Sequence, residues 1–362
     1  MQYTEGFLLD KRYRLESFVG SGSFGEVWVA KDLETDLEVA VKIYIAMDEK
    51  GLEEFKKEFQ LSFELNHTNL LHANYLGVNA EDRRPYLVMP YCPDGSVSRF
   101  AGEMSEGDIW RFSHDVAAGL AYLHSQHPPI IHQDIKPDNI LILKNGDYVI
   151  TDFGISKQLR QSLRKSAMSL NSAGAISYMG PERFSKNSQA IKASDIWSLG
   201  VAIYELATGD VPFCGMGGSL QKQGADMPEL PDDFSRLLDF ICASCMAKEP
   251  WERPTAAQLR DYTAAVIDGR NPEVSWHQNP EMEKRLEAAY AADGGVKSSS
   301  PKNNAKRQTA QQIGEADNID APAKSGFVES KIEQEKSAPG WVPIVLALAG
   351  VSIGAILGIL LL

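Results

Sequence analysis

Near the middle of the chain stand two aspartates, a lysine and an asparagine whose types and spacing could do chemistry. Asp134, Lys136 and Asn139 lie in His132-Gln133-Asp134-Ile135-Lys136-Pro137-Asp138-Asn139, and Asp152 follows in Asp152-Phe153-Gly154. Phosphoryl transfer asks little covalent chemistry of a protein. It needs a carboxylate to orient an attacking hydroxyl, a cation against the moving phosphate, and hard oxygen donors for Mg²⁺. Asp134 could accept the hydroxyl proton, Lys136 could neutralise the phosphate, and Asn139 with Asp152 could ligate the metal. An Asp and an Asn five positions apart are more often a turn with its caps. The second aspartate, placed after the strand-like Asp147-Tyr148-Val149-Ile150-Thr151, shifts the reading towards chemistry.

Those residues need elements to position a phosphate donor. Tyr13 to Ile45 reads as strand, turn, strand, turn, strand, with Gly20-Ser21-Gly22-Ser23-Phe24-Gly25-Glu26-Val27 at the first turn. Glycines there let backbone N–H groups approach phosphates. The same spacing occurs in dinucleotide-binding folds, but there the last glycine opens a helix, whereas Val27-Trp28-Val29-Ala30 continues as a β-rich run. Lys42 sits inside the apolar strand Val39-Ala40-Val41-Lys42-Ile43. A buried ammonium requires an anionic partner, and nucleotide phosphates would provide one. Glu106 to Ser125 places Ile109, Phe112, Val116, Leu120 and Leu123 on one face of a long amphipathic helix.

In this order the stretches resemble the eukaryotic-type protein kinases, and Lys136 two residues after Asp134 resembles the Ser/Thr class. Further matches are Gly174 to Glu182, Asp195-Ile196-Trp197-Ser198-Leu199-Gly200, Gly209-Asp210-Val211-Pro212-Phe213 and Glu249-Pro250-Trp251-Glu252-Arg253-Pro254. The compact domain, without large inserts, is similar to the eukaryotic-like kinases of bacteria. The resemblance implies an α+β, two-lobed fold over 13–268, with a small antiparallel β-rich lobe at about 13–90 and a larger helical lobe at about 91–268. It implies ATP as substrate, Mg²⁺ as cofactor and protein hydroxyls as acceptors. Asp134 and Lys136 become the catalytic pair and Asn139 and Asp152 the metal ligands. Val19, Gly20, Gly22, Gly25, Val27, Ala40, Lys42 and Leu141 would surround the nucleotide, with Met89 as gatekeeper. Adenine would meet the Pro90 carbonyl and the Cys92 N–H, a pairing that tolerates proline. Glu58, or failing that Glu54, would pair with Lys42. Arg253 would pair with Glu182 in the interior, where loss of one partner costs about 3–5 kcal/mol. His124 and His132 fit packing and hydrogen-bonding roles.

Four positions depart from the family pattern. Ser62 stands where an apolar residue one turn after the glutamate is usual, and Gly180 precedes Pro181-Glu182. Gln133 replaces an arginine able to clamp a phosphate on the activation segment, so activity should not require phosphorylation through that route. Ala175 replaces a threonine that positions the catalytic residues, at a cost on the order of 1–3 kcal/mol. These departures keep open the alternative of a weak or inactive kinase-fold scaffold that binds ATP or partners at a membrane. A small-molecule phosphotransferase would share Asp134 and Asn139, but gives no reason for the Pro181-Glu182, Asp195 to Gly200 and Arg253 motifs.

The remaining sequence bounds location and partners. A net charge of −13 over 362 residues argues against nucleic acid as a partner. Cys92, Cys214, Cys242 and Cys245 are too few and uneven for a disulfide framework, and Cys242-Ala-Ser-Cys245 fits a buried helical face in a reduced compartment. Met1 to Lys11 has no apolar run of the secretory type. Residues 269–340 read as a disordered juxtamembrane linker with a short helix near Glu281 to Ala292. Trp341 to Leu362 is free of charge and would be about 33 Å long as a helix, enough to span a bilayer core. The expectation is a C-terminal transmembrane anchor, with the kinase domain on the cytoplasmic, ATP-containing side and substrates close to the membrane.

Overall fold

Alternation along the first strands separates two faces of a sheet. A computed structural model describes residues 3–22, 25–153, 176–186, 188–276 and 280–292. All of these fall in the first of two units, residues 1–299 and 300–362. The strands β1 (Leu8–Leu9), β2 (Tyr13–Gly22), β3 (Gly25–Asp32), β4 (Leu37–Tyr44), β5 (Tyr75–Val78) and β6 (Pro85–Pro90) form one sheet in the order β1-β2-β3-β4-β6-β5. Every neighbouring pair is antiparallel. Trp28, Ala30, Val39, Val41, Ile43, Tyr86 and Val88 pack with Tyr13 and Leu15 into a core that Tyr3, Phe7 and Leu9 join. The small lobe therefore begins before the expected boundary at Tyr13: Tyr3 is buried, and the Tyr86 hydroxyl donates to Asp10 at 2.6 Å.

The helix α1 (Glu49–Glu64) carries phenylalanines at i, i+4 and i+8, the spacing of one helical face. Their rings form a column from Tyr44 through Phe55, Phe59 and Phe63 to His72, with centroid spacings of 4.7, 5.9, 5.1 and 5.5 Å. Phe59 also packs near Met89 and Leu87. Aromatic packing thus ties this helix to the sheet, whatever the contribution of Ser62.

In the large lobe, α2 (Glu106–Ser125) starts at a Ser105 cap whose hydroxyl accepts from the Asp108 N–H at 3.2 Å. Its expected apolar face, Ile109, Phe112, Val116, Leu120 and Leu123, is fully buried. The same lobe holds α3 (Lys192–Thr208), α4 (Gly218–Lys222), α5 (Arg236–Cys245), α6 (Ala256–Ile267) and the hairpin of β7 (Ile140–Ile142) with β8 (Tyr148–Ile150), of which α3, α6 and β8 pack against α2. Gly209 ends α3 in the left-handed region, at φ +83°. Cys242 and Cys245 lie in the core of α5, and burial pushes both thiols well up.

Beyond 268, where a linker was expected, the chain continues to pack on the large lobe. Trp276 and, on α7 (Pro280–Ala292), Met282 and Ala289 join the core. Arg285 on α7 reaches Asp239 at 3.6 Å, and the Tyr290 hydroxyl donates to the Pro272 carbonyl at 2.6 Å. Among the described residues no helix is long and apolar enough to cross a membrane. The apolar run 341–362 and the stretch 293–340 lie outside the described residues.

Candidate active site

Asp195, on the first turn of α3, is completely buried and faces the loop that carries Asp134. Its Oδ2 accepts from the His132 N–H at 2.9 Å and its Oδ1 from the Gln133 N–H at 2.8 Å. His124 Nε2 meets the same Oδ2 at 2.9 Å. Gln133 adopts φ +68°, a region most side chains avoid, and the carboxylate holds it there. His132 ties the loop to the next strand: its Nε2 lies 2.9 Å from the Thr151 carbonyl, and its Nδ1 lies 3.3 Å from the Asp134 N–H. Both bonds are satisfied by the tautomer protonated on Nε2. The expected structural roles of His124 and His132 match these positions.

Asn139 closes the loop around Asp134. Its Nδ2 donates to the Asp134 carbonyl at 2.6 Å and to the Asp134 carboxylate at 3.1 Å. This engages the amide nitrogen and leaves Oδ1 as the atom suited to a hard cation. The Asn139 carbonyl accepts from the Thr151 N–H at 2.9 Å, which fixes the residue preceding Asp152. Asp152 itself has φ +61° and accepts from Lys42 Nζ at 2.6 Å. The donor set of one carboxylate and one amide oxygen fits Mg²⁺ held jointly with phosphates. Lys136 precedes the 3₁₀ turn Pro137–Asn139, and its carbonyl accepts from the Asn139 N–H at 3.0 Å.

Lys42 was expected to face phosphates and Glu58. The structure shows it bound to Asp152 across the two lobes. Glu58 and Glu54 lie on α1, but their side chains and that of Ser62 are outside what the structure describes. Strand register brings together several residues of the expected nucleotide set. Gly20 lies opposite Val27, Val27 opposite Lys42, and Ala40 opposite Met89. Met89 and Leu141 pack in one cluster with Cys92, below the sheet. Val19 is 58% exposed, as a side chain roofing an open cleft would be. Pro90 ends β6 and is the strand partner of Val39, and burial raises the Cys92 thiol.

The glycines divide by role. Gly20 and Gly22 belong to β2 and Gly25 opens β3, so the expected loop is the end of a hairpin whose residues 23 and 24 lie outside the described set. A Cβ on Gly25 would sit 2.0 Å from the Ile43 carbonyl oxygen, at φ +148°. Strand packing therefore demands that glycine. A Cβ on Gly20 would meet nothing within 4 Å, so packing among the described residues does not demand glycine there.

Residues 13–263 match the family described as "Protein kinase domain". The chain belongs to the protein kinase family. It is 33% identical over 258 residues to the Arabidopsis thaliana "Serine/threonine-protein kinase 1", covering 68% of this chain and 30% of that protein. Identity is 34% over 256 residues to Schizosaccharomyces pombe "Serine/threonine-protein kinase ppk11", covering 68% and 80%. It is 31% over 281 residues to Mycobacterium tuberculosis "Serine/threonine-protein kinase PknA", covering 74% and 64%. The chain thus spans less than a third of the plant protein's length and just under two thirds of the mycobacterial one.

Kinase motifs on the large-lobe side form a second buried knot. Arg253 donates to both Glu182 oxygens, at 2.9 and 3.1 Å, the pair the sequence implied. It also donates to the Ala193, Ala247 and Lys248 carbonyls. Burial alone would raise the Glu182 carboxyl, but the Arg253 hydrogen bonds outweigh it and hold the group below the usual glutamate range. A Cβ at Gly180 would lie 2.6 Å from Glu182 Oε2, so glycine leaves room for the carboxylate. Tyr178, whose carbonyl accepts from Ser198 Oγ at 2.6 Å, donates its hydroxyl to Glu205 on α3. Burial, opposed by that bond and reinforced by Asp138, holds Glu205 above the usual range. Tyr178 lies in the motif Gly174 to Glu182, whereas Glu205 belongs to none of the motifs. Its sequence signal is a glutamate within the apolar run Tyr204-Glu205-Leu206, which, like Lys42 in its strand, requires a partner when buried. Ala175 and the serine-rich stretch 154–174 lie outside the described residues.

Proposed function

We propose that this kinase-family chain transfers the γ-phosphate of ATP to serine and threonine hydroxyls of proteins, while tethered to a membrane by residues 341–362. The Asp134–Asn139 contact carries the reading, because it holds the base carboxylate ready beside a metal-suited amide. Asp134 would orient the acceptor hydroxyl and take its proton. Lys136 would face the moving phosphate, and Lys42 would leave its bond with Asp152 for the nucleotide phosphates. Mg²⁺, held by Asn139 and Asp152, would offset the charge that builds on those phosphates. The Ser/Thr assignment is supported by Lys136 and by the printed names of the relatives. The anchor is supported by the length and apolarity of 341–362. Tethering would favour substrates on the same membrane by effective concentration.

The test is phosphoamino-acid analysis of a generic protein substrate after incubation with the full chain, labelled ATP and Mg²⁺. Label on serine or threonine is expected. Label confined to tyrosine would refute the class, and ATP-dependent thermal stabilisation without transfer would favour the scaffold. Removing 341–362 is expected to release the chain from membranes with peptide phosphorylation unchanged. Retained membrane association would refute the anchor.

A further inference from the structure

Three chain segments converge on the buried Arg253 guanidinium. It bonds Glu182, the Ala193 carbonyl at 2.8 Å, and the Ala247 and Lys248 carbonyls at 2.8 and 3.1 Å. Lys222 adds a fourth segment through its 2.9 Å bond to Ser185 Oγ. The residues flanking these anchor points all project outward: Lys186, Ile191, Lys192, Lys222, Lys248 and Trp251 are exposed. At 74%, Trp251 has the highest exposure among the large apolar side chains of the described residues, and Ile191 reaches 42%. The four lysines form no ion pair among the described residues, and the acidic residues beside Trp251, Glu249 and Glu252, are half-buried. In a chain of net charge −13, these segments together carry four exposed lysines against the half-buried Glu249 and Glu252 beside Trp251.

We propose that this face lies against an anionic membrane surface. Tryptophan settles at the headgroup level because its ring is apolar and its N–H is polar. Lysines bring apolar stems and a charge that an anionic leaflet attracts. An acidic protein would satisfy the charges equally well. The choice of a membrane rests on the reading of 341–362 as an anchor, which would hold the domain beside that surface.

The test is hydrogen exchange on the full chain in solution, with phosphatidylcholine vesicles, and with vesicles containing phosphatidylserine. Peptides covering 183–192 and 247–252 are expected to gain protection only on the anionic vesicles. The protection of these peptides on anionic vesicles should weaken about thirtyfold for each of Lys186, Lys192 and Lys248 changed to Glu, a change of two charges. Trp251→Ala should remove the protection without reversing any charge, and Lys192→Gln/Lys248→Gln provides a milder second variant. Binding to phosphatidylcholine vesicles reports the anchor alone, so its absence would refute the anchor and leave the face to be judged on anionic vesicles. The proposal is overturned if the two peptides stay unprotected on anionic vesicles. It is equally overturned if they become protected in vesicle-free solution as protein concentration rises, which would assign the face to a second copy.

Discussion

Asp195 and Glu182 are two carboxylates in the large lobe, each holding a loop of the site, and they are satisfied differently. Asp195 accepts from two backbone N–H groups of the loop it positions and meets one histidine. Glu182 faces the guanidinium of Arg253. The first arrangement carries geometry: the carboxylate keeps Gln133 in a left-handed conformation and so aims Asp134. The second carries stability, because removing either partner strands a buried charge. The two loops of the proposed site thus rest on different carboxylates.

Arg253→Met tests that separation most severely. It should lower unfolding free energy by about 3–5 kcal/mol in urea titration. Little loss would mean that the carbonyl contacts, and not the ion pair, hold the loop. Asp195→Asn replaces one acceptor oxygen with a donor facing an N–H. It should cost about 1.5–3 kcal/mol of stability and lower kcat more than it raises the KM for ATP. An equal change in both would show that Asp195 does not specifically aim the base. Gly25→Ala, forced against the Ile43 carbonyl in a strained conformation, should destabilise by about 1–3 kcal/mol in the same assay.

Acid offers a gentler probe of the ion pair. Because the folded Glu182 carboxyl lies below its ordinary value of about 4.3, its contribution is complete above that pH and fades as pH falls through the lower folded value. Glu182→Gln should lack this component of acid unfolding while being less stable at neutral pH. An unchanged acid limb would remove the pair from the account. The smallest effect is expected from changing Ser156, Ser162, Ser166, Ser169 and Ser172 to Ala, which should leave turnover nearly intact given Gln133. Loss of turnover with the fold preserved would contradict that.

Much of the two-lobed core could be read from the chain, because α2 repeats its apolar residues at helical spacing and β3, β4 and β6 alternate or run apolar. Asp134, Asn139 and Asp152 were legible because their stretch, followed by Asp152-Phe153-Gly154, resembles the catalytic and metal-binding loops of protein kinases, whereas the spacing alone fits a capped turn. The strands β1 and β5 were not, since β1 is only Leu8–Leu9 and a glycine, Gly77, interrupts Tyr75–Val78. The packing of Trp276 and α7 was hidden too: a few buried residues set in a polar, alanine-rich stretch look like linker composition. The Lys42–Asp152 bond joins residues 110 positions apart, and local pattern says nothing at that range.

The most direct test of the central claim compares the full chain with Asp134→Asn for labelled phosphate transfer, with ATP binding measured on both. The expected result is a loss of about 10²–10⁴-fold in transfer rate with ATP affinity essentially unchanged. Transfer within a few-fold of the unaltered chain would contradict the assignment of Asp134 as the base.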